Sequence, residues 1–222
     1  MIKSGVIGNP IEHSLSPVIH EFFLRKHEIS GSYQKIKVES EELLQFLQKA
    51  IQENLAGFNV TIPHKEEIFK KCDFLSNSAS LTKAVNTVVI TKDKKLFGHN
   101  SDVDGFIDNL KYHYPEFNFA NKTSFVIGCG GASRAVIYGL IKNGVKEIFI
   151  TNRSELRAQN LIADFQKFAQ KNNCKITFLA KTEFEKNLNN CQLLINTTSL
   201  GMKGQEPLNF DITNLNQEAY VY

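Results

Sequence analysis

The chain of 222 residues contains no tryptophan and only 5 prolines, and its formal net charge is only +3. Its 42% of hydrophobic residues are typical of a globular protein, which argues against a disordered or fibrous class. No apolar run approaches the roughly 20 residues of a membrane span, and the amino terminus lacks a signal-peptide core. We therefore expect a cytoplasmic protein without a membrane partner, and so weak a charge does not indicate nucleic-acid binding.

Clustered metal or redox ligands are also missing from the sequence. The four cysteines are dispersed and form no C-x-x-C pair, at Cys72, Cys129, Cys174 and Cys191. The 6 histidines show no ligand spacing with cysteines or carboxylates. The sequence therefore predicts reduced, mostly buried thiols and no metal site.

Strand-like and helix-like segments alternate along the chain, which is typical of layered α/β folds. The strands expected in the first half are 4–7, 32–38, 57–60, 85–90 and 96–99. The helices expected there begin near Pro17, with an apolar face at positions 18, 19, 22 and 23, and continue at 41–52 and 64–74. The second half predicts strands at 123–127, 147–151, 175–179 and 192–196 with helices between them. We predict two α/β domains, residues 1–102 and 103–222, with a cleft between them.

A glycine-rich turn opens the second of these domains. The buried strand 123–127 leads into Gly128-Cys129-Gly130-Gly131-Ala132-Ser133, and an apolar helix follows. In that context Gly128 permits the tight turn, Gly130 lets a pyrophosphate approach the backbone, and Gly131 and Ala132 begin the anion-binding helix. Ser133 takes the third, close-packing position. The alternative is an ordinary strand–helix turn, but the context favours a Rossmann-like dinucleotide site.

The end of the next strand bears on the choice of dinucleotide. Asn152-Arg153-Ser154 lies 24 positions after Gly128, where NAD sites usually place an acidic residue on the ribose. Arg153 and Arg157 could instead grip a 2′-phosphate, which predicts NADP. They could also be solvated arginines at a helix start, and Glu155 could serve a ribose hydroxyl in an NAD enzyme.

Three polar clusters follow strands of the first domain. His13-Ser14-Leu15-Ser16-Pro17 places two hydroxyls at a helix start, where Ser16 could also be only an N-cap. Residues 59–66 include Asn59, Thr61 and Lys65, and a lysine in a first helical turn opposes the helix dipole. That position suits proton transfer, although an exposed surface lysine is the simpler interpretation. Asn86-Thr87 and Asn100-Ser101-Asp102 form the third cluster.

The whole pattern resembles the shikimate dehydrogenase family. Seven strings carry the resemblance in the same order along the chain: GNPIEHSLSPVIH (8–20), FNVTIPHKEE (58–67), KAVNTVV (83–89), GHNSDVDGF (98–106), VIGCGGASRAV (126–136), TNRSELRA (151–158) and INTTSLGM (195–202). The resemblance implies an NADP-linked oxidoreductase that interconverts 3-dehydroshikimate and shikimate in chorismate and aromatic amino-acid biosynthesis. It implies a substrate-binding and catalytic first domain and an NADP-binding second domain.

The same resemblance assigns roles residue by residue. Ser14 and Ser16 match serines that hold the substrate carboxylate, and Lys65 and Asp102 match the catalytic pair. The remaining substrate contacts are expected at Asn59, Thr61, Asn86 and Asp102. The cofactor contacts are expected at Gly128, Gly130, Gly131, Ala132, Asn152, Arg153, Ser154, Arg157 and Thr197. No metal is implied, and the oligomer is a monomer or a homodimer.

The sequence departs from the family pattern at a few positions. Lys83 and Val103 stand where the family often has glycine, and Asn77 stands where relatives often have an acidic residue. The family's C-terminal stretch, with its substrate-binding glutamine, has no counterpart after Tyr222. We therefore expect a chain without that closing segment. Alternatives are a quinate/shikimate dehydrogenase that uses NAD, a related reductase of another small molecule, a chain that binds without turnover, or a non-catalytic ligand-binding homologue.

Overall fold

The chain forms two compact units, Met1–Ser101 and Asp102–Tyr222, in a computed structural model that describes residues 1–202 and 204–222. Both units are built from strands and helices, as the alternating sequence pattern predicts. No helix in these two ranges combines the length and the apolar character needed to cross a membrane.

The first unit contains a six-stranded mixed sheet within its described residues. Its strands are β1 (Ile2–Gly8), β2 (Gly31–Lys37), β3 (Gly57–Val60), β4 (Phe74–Leu75), β5 (Thr87–Ile90) and β6 (Leu96–His99), in the order β2-β1-β3-β5-β6-β4. Its helices are α1 (Ser16–Lys26), α2 (Leu43–Gln52), α3 (Lys65–Phe69) and α4 (Asn77–Thr82), and a 3₁₀ turn, Ser40–Glu42, precedes α2. Strands β1, β2 and β3 are parallel, whereas β5 runs antiparallel to β3 and β6.

Helix α2 buries its apolar stripe against one face of this sheet. Leu43, Leu47 and Ala50 recur every three or four residues and pack in one cluster with Phe58 and Val60. The helix is therefore held by the tertiary packing that its sequence period predicts.

The helices of this unit differ from the sequence-based expectations at three points. The segment expected to be helical over 64–74 forms only the short helix α3, and Phe74–Leu75 instead pairs with β6 as a strand. Ser16 does not cap α1, because the helix begins at Ser16 itself and Leu15 occupies the cap position without a side-chain bond. The apolar positions of α1 are also exposed, with Phe22 52% and Phe23 47% accessible.

The second unit contains a five-stranded parallel sheet among its described residues. Its elements are α5 (Asp102–His113), β7 (Thr123–Ile127), α6 (Gly131–Lys142), β8 (Glu147–Thr151), α7 (Glu155–Lys171), β9 (Lys175–Phe178), α8 (Lys181–Lys186), β10 (Leu193–Asn196) and β11 (Tyr220–Val221). The strand order is β11-β10-β7-β8-β9, and a 3₁₀ turn, Leu188–Asn190, precedes β10. This is the doubly wound arrangement predicted from the β-α-β-α-β pattern.

Helix α6 is the most deeply placed helix described in this unit. Every residue from Ser133 to Ile141 is buried, so α6 is enclosed around its whole circumference, and its buried Arg134 is paired with Asp164. Ser154 caps the following helix α7 by accepting a hydrogen bond from the Arg157 amide. Burial raises the pKa of the Cys191 thiol to about 12 and that of Cys174 to about 11.

Candidate active site

The strand directions gather the polar clusters of the first unit at one edge of its sheet. The carboxyl ends of β1 and β3 lie side by side, because these strands are parallel. The first residue of β5, Thr87, is paired with Asn59 and with His99, the last residue of β6. The segments that follow β1, β3 and β6 and the segment that precedes β5 therefore meet at the same edge.

The two serines after β1 form one hydroxyl pair. The Ser14 hydroxyl donates to Ser16 Oγ at 3.1 Å, and the Ser16 amide donates to Ser14 Oγ at 3.3 Å. Both side chains are half-buried at the start of α1. Adjacent hydroxyls and the N–H groups of a helix start are suitable donors for a carboxylate.

Lys65 is the first residue of α3 and is half-buried. Its neighbour His64 is buried and donates from Nε2 to the Val38 carbonyl at 2.7 Å. The Lys65 carbonyl accepts a hydrogen bond from the Val85 amide at 2.9 Å. Contacts on both sides therefore fix the backbone that carries the lysine.

Amide side chains connect β3 with the segment before β5. The Asn59 Nδ2 group donates to the Asn86 carbonyl at 3.2 Å and to Thr87 Oγ1 at 3.0 Å. Asn86 in turn donates to the Ser101 hydroxyl at 3.0 Å and accepts from the Ser101 amide at 3.0 Å. Thr61 is half-buried beside this network, and its amide is bound to the Ile7 carbonyl. Asp102 follows Ser101 as the half-buried first residue of α5.

The glycine-rich turn of the second unit has the geometry of a dinucleotide loop. Gly128 has φ +108°, and a Cβ there would lie 2.7 Å from Thr197 Oγ1. A Cβ at Gly130 would meet nothing within 4 Å, so the backbone is open to a close ligand. Gly131 and Ala132 form the first turn of α6, where N–H groups have no intrahelical acceptor. The arrangement fits a pyrophosphate.

Ser133 does more than fill the close-packing position. The Gly130 amide donates to Ser133 Oγ at 3.2 Å, and Ser133 shares a 2.5 Å hydrogen bond with Thr197 Oγ1. Thr197 Oγ1 also donates to the Ile127 carbonyl at 2.6 Å. The Thr197 hydroxyl, expected from the sequence to contact cofactor, is thus bonded inside the protein and braces the turn.

A cavity of about 600 Å³ lies beside this turn. Gly128, Asn152 and Arg153 line it, and Lys181 from the start of α8 adds a second cation. The Lys181 ammonium lies 5.1 Å from the centroid of the Phe210 ring, another lining residue, and 3.7 Å from Glu185. Two cations at the end of β8 and β9 suit a phosphate monoester. Arg157 is exposed one turn into α7 and is not among the described lining residues.

Two family models match the chain. The model described as shikimate dehydrogenase substrate binding domain matches residues 6–88, and the model described as shikimate / quinate 5-dehydrogenase matches residues 112–202. The shikimate dehydrogenase (NADP(+)) of Magnetococcus marinus is 40% identical over 98% of this chain and 75% of its own length. The chain belongs to the shikimate dehydrogenase family.

Solved structures of the family superpose on the whole chain. The shikimate dehydrogenase of Aquifex aeolicus has a TM-score of 0.87 and 33% identity, and the match covers 100% of this chain and 77% of that one. The shikimate 5-dehydrogenase of Listeria monocytogenes, solved with shikimate and NAD, has a TM-score of 0.82, 32% identity and the same coverage. The family resemblance predicted from the sequence strings is confirmed.

Sequence reasoning missed two residues of these sites. Lys181 follows β9, and its only sequence signal was a cation directly after a strand end. Tyr33 lies inside β2 and reads as an ordinary strand aromatic, yet its hydroxyl bonds to Asn59. Both residues contact groups that are distant in the sequence, so their places in these sites follow only from the tertiary structure. In the described parts of the chain, no group of three or more potential metal-binding side chains is found.

Proposed function

We propose that this protein catalyses the NADP-dependent, reversible reduction of 3-dehydroshikimate to shikimate. The observation that carries the proposal is the half-buried Lys65 at the sheet edge that also holds the Ser14–Ser16 pair and Asn86. Membership of the shikimate dehydrogenase family supports the same substrate. Under this proposal, residues 1–102 bind the substrate and carry the catalytic pair, and residues 103–222 bind the cofactor.

The residues of the substrate-binding part, 1–102, have separable roles in this proposal. Ser14 and Ser16 hold the carboxylate of the substrate, and Asn59, Thr61 and Asn86 hold its ring hydroxyls. Lys65 exchanges the proton of the C3 oxygen and stabilises the charge that develops there. Asp102 accepts a hydrogen bond from the same hydroxyl and orients Lys65. When bound, NADPH supplies the hydride.

The residues of the second unit position the cofactor. Gly128 and Gly130 shape the loop, and Gly131 and Ala132 present helix N–H groups to the pyrophosphate. In this proposal Asn152, Arg153 and Lys181 hold the 2′-phosphate of NADP, and Ser154 and Arg157 support that region. Thr197 braces the glycine-rich turn. The relative from Listeria monocytogenes was solved with NAD, so the assignment of NADP depends on these cations and on the name of the Magnetococcus marinus relative.

The proposal extends to the cellular setting of the reaction. A small hydroxylated carboxylate and a dinucleotide are the ligands, and the chain acts in the cytoplasm in chorismate biosynthesis as a monomer or homodimer. Shared family membership supports the two ligands and the pathway.

A spectrophotometric assay tests the proposed function. Purified protein mixed with shikimate and NADP⁺ is expected to raise the absorbance at 340 nm. Lys65→Met should lower kcat by about 10²–10⁴-fold, the usual contribution of general acid–base catalysis. Lys70→Met is the matched control, because Lys70 is exposed just after α3 and pairs with Glu67. Equal rates for Lys65→Met and the wild type would refute the role of Lys65.

A further inference from the structure

Tyr33 is a buried phenol in the outermost strand, β2, of the first sheet. It lies in β2, is 4% exposed and packs with Val6 and Ile11. Its ring is stacked on the His20 ring of α1, with centroids 4.1 Å apart and an interplanar angle of 6°. Packing against His20, Val6 and Ile11 holds the ring, so the position of its hydroxyl is fixed as well.

The Tyr33 hydroxyl joins two groups that come from different elements, helix α1 and strand β3. It donates to Asn59 Oδ1 at 2.7 Å and is also hydrogen-bonded to the Ser16 side chain. The Asn59 oxygen can only accept, so the single phenol proton is used there and Ser16 is the donor to Tyr33. Burial raises the pKa of Tyr33 to about 12, so the phenol keeps this proton at neutral pH.

The orientation of the Asn59 amide is set by its other contacts. Its Nδ2 group faces the Asn86 carbonyl, which can only accept, so Oδ1 must be the atom that faces Tyr33. Nδ2 also donates to Thr87 Oγ1, which donates to Asn86 Oδ1 at 3.0 Å. Hydrogen bonds therefore run without a break from Ser14 through Tyr33 to Asn86.

We propose that Tyr33 is a positioning residue that couples recognition of the substrate carboxylate to recognition of its ring hydroxyls. Through Tyr33, the hydroxyl of Ser16 and the amides of Asn59 and Asn86 take up one joint orientation. A cyclic carboxylate with hydroxyls on the opposite side of its ring then binds to a preformed set of donors. This inference rests on the proposed function, in which these side chains bind the substrate.

Tyr33→Phe tests the coupling, because it removes the hydroxyl and keeps the ring on His20. We expect the KM for shikimate to rise about tenfold, in line with the loss of one buried hydrogen bond. The KM for NADP⁺ and the kcat at saturating shikimate should change by less than about twofold. Tyr138→Phe is the control, since Tyr138 is also a buried tyrosine with a stacked ring, on Phe168 in the second unit.

A double-mutant cycle separates positioning from a merely structural role. If Tyr33 acts through Ser16, Tyr33→Phe combined with Ser16→Ala should raise the KM for shikimate no more than the stronger single variant. Additive effects, or a KM for Tyr33→Phe equal to that of the wild type, would overturn the inference. If Tyr33→Phe does not fold, the cycle is run with Thr87→Val, which removes the hydrogen bonds that link Asn59 to the Asn86 side chain. Additive effects of Thr87→Val and Ser16→Ala would likewise overturn the inference.

Different results would contradict the proposed enzymatic activity and the proposed role of Tyr33. A wild-type protein that does not oxidise shikimate contradicts the proposed function. An active wild type with an unaltered Tyr33→Phe variant contradicts only the coupling role of Tyr33.

Discussion

Ser133 in the first turn of α6 and Thr197 just after β10 share a hydrogen bond of 2.5 Å between their hydroxyls. The direction of the bond follows from its neighbours. Thr197 gives its proton to the Ile127 carbonyl, so Ser133 donates to Thr197 and accepts from the Gly130 amide. The contact links the strand before the glycine turn, the turn itself and the helix after it.

Removal of the Thr197 hydroxyl should loosen this turn. We expect Thr197→Val to lower the free energy of unfolding by about 1 kcal/mol and to weaken NADP⁺ binding severalfold. The KM for shikimate should be unchanged. Thr197→Ser keeps the hydroxyl and should behave like the wild type. Fluorescence titration measures the affinity for NADP⁺, and urea unfolding measures the free energy of unfolding. If both quantities were the same in Thr197→Val and in the wild type, this role of Thr197 would be contradicted.

The two glycines of the turn should respond differently to alanine. Gly128→Ala places a Cβ at φ +108° and 2.7 Å from Thr197 Oγ1, so stability should fall by about 2 kcal/mol. Gly130→Ala meets no atom within 4 Å and has extended backbone, so the fold should keep its stability. Its methyl group would occupy the space of the pyrophosphate, and NADP⁺ affinity should fall at least tenfold. A Gly130→Ala variant with unaltered NADP⁺ affinity would contradict the pyrophosphate assignment.

The preference between NADP and NAD should depend on the cations of the cavity. Arg153→Gln and Lys181→Gln should each lower kcat/KM for NADP⁺ about tenfold and leave kcat/KM for NAD⁺ nearly unchanged, because NAD⁺ has no 2′-phosphate. Arg25→Gln is a suitable control, since Arg25 is an exposed arginine of α1 in the first unit. If kcat/KM fell by the same factor with NADP⁺ and with NAD⁺, the recognition of the 2′-phosphate by these residues would be contradicted.

Alkaline pH should destabilise the second unit through Cys191. Burial raises the pKa of this thiol to about 12 in the folded chain, whereas an unfolded cysteine titrates near about 8.5. Below that lower value the thiol is protonated in both states, so its contribution to stability is complete. As the pH rises further, the unfolded chain loses the proton first, and stability falls by about 1.4 kcal/mol per pH unit until the folded thiol titrates.

Urea unfolding at pH 8 and pH 10 measures this effect. The decrease in the free energy of unfolding between the two pH values should be smaller in Cys191→Ala than in the wild type. Each protein is compared only with itself at the two pH values. The loss of stability caused by the cavity in Cys191→Ala is the same at both pH values and therefore cancels. The same decrease in both proteins would contradict the prediction.

The sequence was most informative where a local pattern has a single structural solution. The glycine-rich turn between an apolar strand and helix required a loop with positive φ at Gly128, and the structure has it there. The sequence also predicts a helix over 155–171 with Ser154 as its N-cap, because a cap and a 3.6-residue apolar period agree over a long segment, and α7 has these bounds. The order of the seven strings also identified the family.

Local patterns failed where distant strands decide the outcome. Phe74 and Leu75 continue a helical pattern in the sequence. In the structure their backbone pairs with β6, so they form a strand instead of a helical turn. Pro17 correctly indicated the start of α1. The apolar face that follows it is nevertheless exposed, because helical periodicity predicts an apolar face but not whether another element packs against it.

The sequence by itself determined the two α/β halves, the dinucleotide turn and the residue types of the site. Only the tertiary structure decided which of these residues touch. Parallel β1, β2 and β3 and antiparallel β5 bring Ser16, Tyr33, Asn59 and Asn86 to one edge, although they are spread over 71 positions of the sequence. Hydrogen bonds depend on distances of about 3 Å, and strand order and register, which are properties of the whole sheet, set those distances.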